Sequence, residues 1–134
     1  MNYYNYMDKR TVLNDSNLNL YDASEAFTKG TVFKTLYQPY RNFLPKSPTS
    51  MTEKGKAMIE VQKYWAAAHD LGLYLDVFPN DKRIVDMRKG YIEKYKQALE
   101  DYEKRYGAVT MTSDALFKTP YNWSTSSWPW EVSR

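Results

Sequence analysis

Apolar side chains return at the helical period over two long stretches of the chain. Ala57/Met58, Val61, Tyr64/Trp65, Ala68, Leu71 and Leu75 mark the first stretch. Ile84, Met87, Tyr91, Tyr95, Ala98/Leu99, Tyr102 and Tyr106 mark the second. Ser50-Met-Thr-Glu53 has capping-box spacing ahead of the first, Asn80 or Asp81 can cap the second, and Gly107 stands where a left-handed residue closes a helix. The pattern predicts helices over about 51–76 and 81–106. Asp76-Val-Phe-Pro-Asn80 is short and Pro79 forbids a continuous helix, so the two should fold back as an antiparallel hairpin. Glu100 with Lys104 and Asp101 with Arg105 are (i, i+4) pairs in the favourable order on the second helix.

The flanks lack that period. The first twenty residues are rich in Asn, Asp and Tyr and read as a loose arm. Asp22-Ala-Ser-Glu25 repeats the capping-box spacing and Gly30 can terminate a short helix over Ala23 to Lys29. Thr31 to Tyr37 fits either an extended segment or one more helical turn. Pro39, Pro45 and Pro48 then make Gln38 to Thr49 a stretched connector. Ala108 to Arg134 is polar and Ser/Thr-rich, broken by Pro120-Tyr-Asn-Trp123 and Trp128-Pro-Trp130-Glu131. The expected architecture is mainly α: an N-terminal arm with one short helix (1–50), a helical hairpin (51–107) and an irregular aromatic tail (108–134). Large rings are costly to leave in water, and a two-helix hairpin buries little by itself. The tail should therefore pack back on the hairpin or onto a partner, with Trp123, Trp128 and Trp130 as anchors.

Composition narrows the chemistry. The 134 residues hold no Cys, which excludes disulfides, thiolate metal sites and a Cys nucleophile. One His excludes any site needing two imidazoles. Lys and Arg exceed Asp and Glu by only 19 to 16, no basic stripe for a nucleic-acid backbone. The start lacks the apolar core of a signal peptide and no apolar run is long enough to span a bilayer. His69-Asp70 with Asp76 is the nearest approach to an acid–base cluster, yet a lone His beside the apolar stripe reads as a packing residue. No Glu-x-x-His motif occurs, so neither a metal nor another cofactor is expected. The 13 Tyr read first as core packing with hydroxyls at the edge; the sharper reading makes exposed ones, Tyr3, Tyr4 and Tyr6 included, oxidative cross-linking sites.

Leu73-Tyr-Leu-Asp-Val-Phe-Pro-Asn-Asp81, the Tyr-rich helix ending Tyr102-Glu-Lys-Arg-Tyr-Gly107 and the ending Trp128-Pro-Trp-Glu131 resemble the spore coat protein JB (CotJB) family over about residues 56–131. Glu25-Ala-Phe-Thr-Lys-Gly-Thr-Val-Phe-Lys-Thr-Leu-Tyr-Gln-Pro-Tyr40 is similar, over a shorter motif, to the JA (CotJA) proteins. The resemblance implies a non-enzymatic coat component made in the mother-cell cytoplasm. Its implied partner is a manganese-catalase-like coat protein JC, with other coat proteins and homo- or hetero-oligomers. It marks Leu73, Tyr74, Asp76 and Pro79 as the turn motif, and Tyr37 and Tyr40 beside the Trp cluster as partner contacts. Three departures stand out. Val77 and Phe78 replace the usual Thr-His of the turn, Ala108-Val109 replace Pro-Leu after the second helix, and Lys34 replaces a common Pro. The alternative is a small ligand- or carbohydrate-binding module that stacks sugars on Trp123, Trp128 and Trp130.

Overall fold

Asp22 and Gly30 bracket the first helix as their spacing predicts. In the computed structural model, which describes residues 18–125, α1 runs Ala23–Lys29. Asp22 Oδ1 accepts from the Glu25 N–H at 2.8 Å, and Gly30 takes the left-handed conformation (φ 84°, ψ 7°). Residues 31–37 combine the two conformations their sequence allowed. Phe33 pairs with Leu20 in an isolated antiparallel bridge, and Lys34–Leu36 then form a single 3-10 turn. The connector that follows is irregular up to Thr52.

Helix α2 runs Glu53–Val77 and α3 runs Lys82–Tyr106. Each has 25 residues, about 37 Å at 1.5 Å per residue. The cap of α2 is Thr52 rather than Ser50: its side chain accepts from the Gly55 N–H at 3.0 Å. The Ser50 hydroxyl instead accepts from the Thr52 N–H at 3.2 Å. Ser50 fits only because residue 55 has no Cβ, which would lie 1.9 Å from that oxygen. At the far end Gly107 has φ 103° and ψ 173°, a positive φ with an extended ψ in place of the left-handed turn. That region is essentially closed to other residues. Glu100 and Lys104 pair at 2.6 Å as expected. Arg105 instead donates to the Asp101 backbone carbonyl at 3.3 Å and lies 5.2 Å from the Tyr106 ring.

The two long helices pack against each other, and α1 packs on α2. One hydrophobic core joins Ala23, Ala26, Val32 and Phe33 to Ala67, Leu71, Tyr74 and Ile84. Serving two neighbours changes which face of α2 is buried. Ala67 and Tyr74 turn inward, whereas Trp65, placed in the stripe by its spacing, is 52% exposed. Arg88 ties the hairpin further: its Nε donates across Gly72 to the Ala68 carbonyl at 3.1 Å. A Cβ at position 72 would sit 3.1 Å from that nitrogen.

Candidate functional site

Three assemblies carry the polar side chains that matter. The first seats the N-terminal segment on α2. Asp70 Oδ2 accepts from the Val32 N–H at 2.8 Å and from the Thr31 hydroxyl at 3.1 Å, and that hydroxyl accepts from the Phe33 N–H at 3.1 Å. Beside this clamp Val32 and Phe33 are buried, and the Phe33 ring stacks on Tyr74 at 5.3 Å. Asp is a poor mid-helix residue, and here its carboxylate supplies what the incoming backbone needs. The acid–base grouping of His69, Asp70 and Asp76 does not assemble. His69 stacks on Trp65 at 4.9 Å on the outer face, Asp70 holds the segment, and Asp76 is exposed.

The second assembly is the turn between the long helices. Of its four motif residues, Tyr74 points inward at 5% exposure, while Leu73, Asp76 and Pro79 face solvent. Tyr74 lies against Phe33 and Phe78, the latter at 4.9 Å, and its hydroxyl donates to Asp81 Oδ2 at 2.8 Å. One side chain thereby links the end of α2, the start of α3 and the N-terminal segment. Asp81 does not cap α3 with its side chain; its carboxylate takes Tyr74 and, through Nε at 3.2 Å and Nη2 at 3.0 Å, Arg83. Phe78 serves as an apolar partner for Tyr74.

Burial first, then the bond to Asp81, pushes the Tyr74 phenol up to about 12. Its ionisation is held back in the folded state relative to the usual tyrosine value near 10. The contribution is complete below about pH 10 and is lost as pH rises from there through about 12. Burial also raises Tyr91 and Tyr102, so an ultraviolet titration should show these two and Tyr74 ionising later than in the unfolded chain. Tyr74→Phe should remove one tyrosine from that late phase. A late phase of unchanged amplitude would contradict the assignment. The hydrogen bond from Arg83 holds Asp81 below its ordinary value, so that contribution is lost only as pH falls through the depressed value.

The third assembly folds the tail back onto α3. Glu103 accepts from the Val109 N–H at 2.9 Å through one oxygen and from the Ser113 hydroxyl through the other. Ser113 caps a short 3-10 turn, Asp114–Leu116, and Leu116 is buried. A carboxylate in the last turn opposes the helix dipole, and Glu103 is there because it satisfies the returning chain. Glu103→Ala should cost about 1–3 kcal/mol and expose the Val109 amide to fast hydrogen exchange while α3 stays protected.

The expected partner residues are scattered. Tyr37 is half-buried, edge-on to Tyr21 at 6.3 Å, with Lys29 5.4 Å from its ring. Tyr40 is 88% exposed on the connector, among exposed Phe43, Leu44 and Met51. Trp123 is half-buried near the end of the described tail, and Trp128 and Trp130 lie outside the described residues, as do Tyr3, Tyr4 and Tyr6. In the Tyr stripe Tyr102 is buried, and Tyr91, Tyr95 and Tyr106 are half-buried. Among the described residues no group of three or more His, Asp or Glu is placed to hold a metal ion, and no helix is long and apolar enough to cross a membrane.

These features define a small helical-hairpin protein with an N-terminal clip seated on its turn end. The CotJB protein family model matches residues 55–131, more than half the chain, and the chain belongs to that family. The model of the spore coat associated protein JA (CotJA) family matches residues 17–40. Together the two matches support a spore coat component. No curated protein and no solved structure gives a significant match.

Proposed function

We propose that this chain is a structural and assembly component of the endospore coat, without catalysis of its own, that binds a manganese-catalase-like coat protein. The observation that carries the reading is the placement of large apolar side chains on the irregular segments flanking the hairpin. Tyr40 (88%), Leu44 (83%) and Met51 (98%) are exposed on the connector, and Phe117 and Tyr121 are exposed on the tail. The core is closed without them. Irregular segments with exposed apolar groups offer a large contact area for few residues, at the expense of ordering them on binding. The connector and the Trp-bearing tail form the binding surface; the clip and hairpin form the platform that presents them.

The test is co-purification of the full chain with the catalase-like coat protein. A Tyr40→Ser, Leu44→Ser, Met51→Ser chain should lose most of the retained partner while keeping its helical circular dichroism. Undiminished retention would remove the connector from the interface, and no retention by the unaltered chain would remove the partner.

A further inference from the structure

The clip and its seat on Asp70 cover one side of the hairpin. Residues 65, 68 and 72 of α2 lie roughly opposite 67, 70 and 74, which face the clip. The tail crosses that opposite side at the open end of the hairpin, where Asp114 and Ala115 share a cleft with Lys96, Leu99 and Glu103. Toward the turn the same groove continues with apolar groups in the open. On α2, Trp65 is 52% exposed and stacked on His69, with Gly72 two turns further on. On α3, Ile92 and Val85 stand seven and fourteen residues before Leu99, on one face with it, and Val85 is 45% exposed.

Between the two rows the half-buried Arg88 lies across Gly72 with its Nε on the Ala68 carbonyl. Among the described residues it makes no ion pair. A guanidinium drawn partly out of water favours a carboxylate beside it. The carboxylates outside the described residues are Asp8, Asp15 and Glu131. The first two precede the clip, on the other side; Glu131 follows the tail that already runs along this one.

We propose that the tip of this chain's own tail, Trp128-Pro-Trp130-Glu131, docks in this groove, with Trp128 on the Trp65–His69 pair and the Glu131 carboxylate on Arg88. The spacing suits the site. Pro129 fixes its own φ and drives Trp128 to an extended, polyproline-like conformation. There three residues make one turn and advance about 9 Å, so Trp128 and Glu131 share a side at that separation. Trp65 and Gly72, which underlies Arg88, are seven residues apart, about 10 Å along α2. The direction agrees, because a tail travelling from the open end toward the turn meets Trp65 before Arg88. Sixteen residues separate Ala115 from Glu131, ample for the roughly 16 Å from Leu99 to Arg88 along α3.

Docking closes the stretch between Ala115 and Trp128 into a loop held at both ends. Phe117 and Tyr121, both exposed, are then presented outward with less freedom to lose on binding. In this the proposal deepens the coat reading, yet it requires no partner.

The chain has no Cys, so Ser133→Cys can carry a single nitroxide beside the tip. In the isotope-labelled chain, resonances of Trp65, His69 and Gly72 should broaden while those of Ala26 and Gly30 in the clip stay sharp. Broadening centred instead on Lys96 to Lys104, as for an undocked tail, or none at all, overturns the proposal. A mixture of nitroxide-bearing and isotope-labelled chains separates this tail from a second copy's. It should show no broadening, and broadening as strong as in the single chain also overturns the proposal. Glu131→Gln should lower the docked-to-free ratio roughly fivefold, whereas Asp8→Asn and Asp15→Asn should change nothing. Trp128→Ser should abolish the broadening, and undiminished broadening in that chain overturns the assignment of the anchor. The catalase-like protein is absent throughout, so failure here leaves the coat reading standing, and failed co-purification leaves this one.

Discussion

Leu71→Ala is expected to cost about 3–5 kcal/mol, the range for emptying a well-packed leucine site. Leu71 has 0% exposure and lies in the core cluster that unites α1, the clip, α2 and α3. The same cluster includes Ala67 and Ala23, which have nothing to extend into the space, and Tyr74, which is held by Phe33 and Asp81. The cavity should therefore stay open. Urea unfolding followed by circular dichroism measures the loss. Leu73, two residues further along the same helix, is 52% exposed, and Leu73→Ala should change stability by less than about 1 kcal/mol. Equal costs at the two positions would mean that the inward face of α2 is wrongly placed.

Asp70→Ala should produce a loss of similar size with a different spatial pattern. Removing the carboxylate deletes two hydrogen bonds and leaves the Val32 N–H beside a buried side chain without its acceptor. Bonds to a charged acceptor contribute about 1.5–3 kcal/mol each, and an orphaned buried donor adds its own penalty. Asp70 is half-buried, so water takes over part of both bonds, and we expect about 2–4 kcal/mol, spent chiefly in releasing the clip. Amides of Tyr21, Val32 and Lys34 should lose protection while the centre of α2 and α3 keeps it. Asp70→Asn retains an acceptor oxygen and should lose less. A uniform loss of protection along the whole chain would instead make Asp70 a residue of the hairpin itself.

The hairpin was legible because its signals are local. The 3.6-residue recurrence of apolar positions, the Asp22 and Gly30 punctuation, and Pro79 between two periodic runs each act within a few residues of where they stand. Their physics needs no tertiary partner. The seat was not legible in the same way. Asp70 and Val32 are 38 residues apart, and no spacing rule links a mid-helix acid to a backbone N–H that far upstream. Trp65 illustrates the cost: its spacing fits a single buried stripe, but the clip covers the adjoining face and draws Ala67 and Tyr74 inward instead. Asp70 and Glu103 did leave a trace, as acids at positions where an isolated helix disfavours them. Tyr74 was marked only by resemblance to a motif; its bond to Asp81 and its stacking on Phe33 supply the physical reason for a tyrosine there.

The central claim is that the JA-like clip and the JB-like hairpin form one folded unit. Hydrogen exchange of the full chain at residue resolution tests it most directly. The Tyr21, Val32 and Lys34 amides, bonded to Val32 O, Asp70 and Asn19 O, should be protected alongside the α2 and α3 amides. The connector, 38–52, should exchange at once. Immediate exchange of the whole stretch from 18 to 52 beside a protected hairpin would contradict the claim.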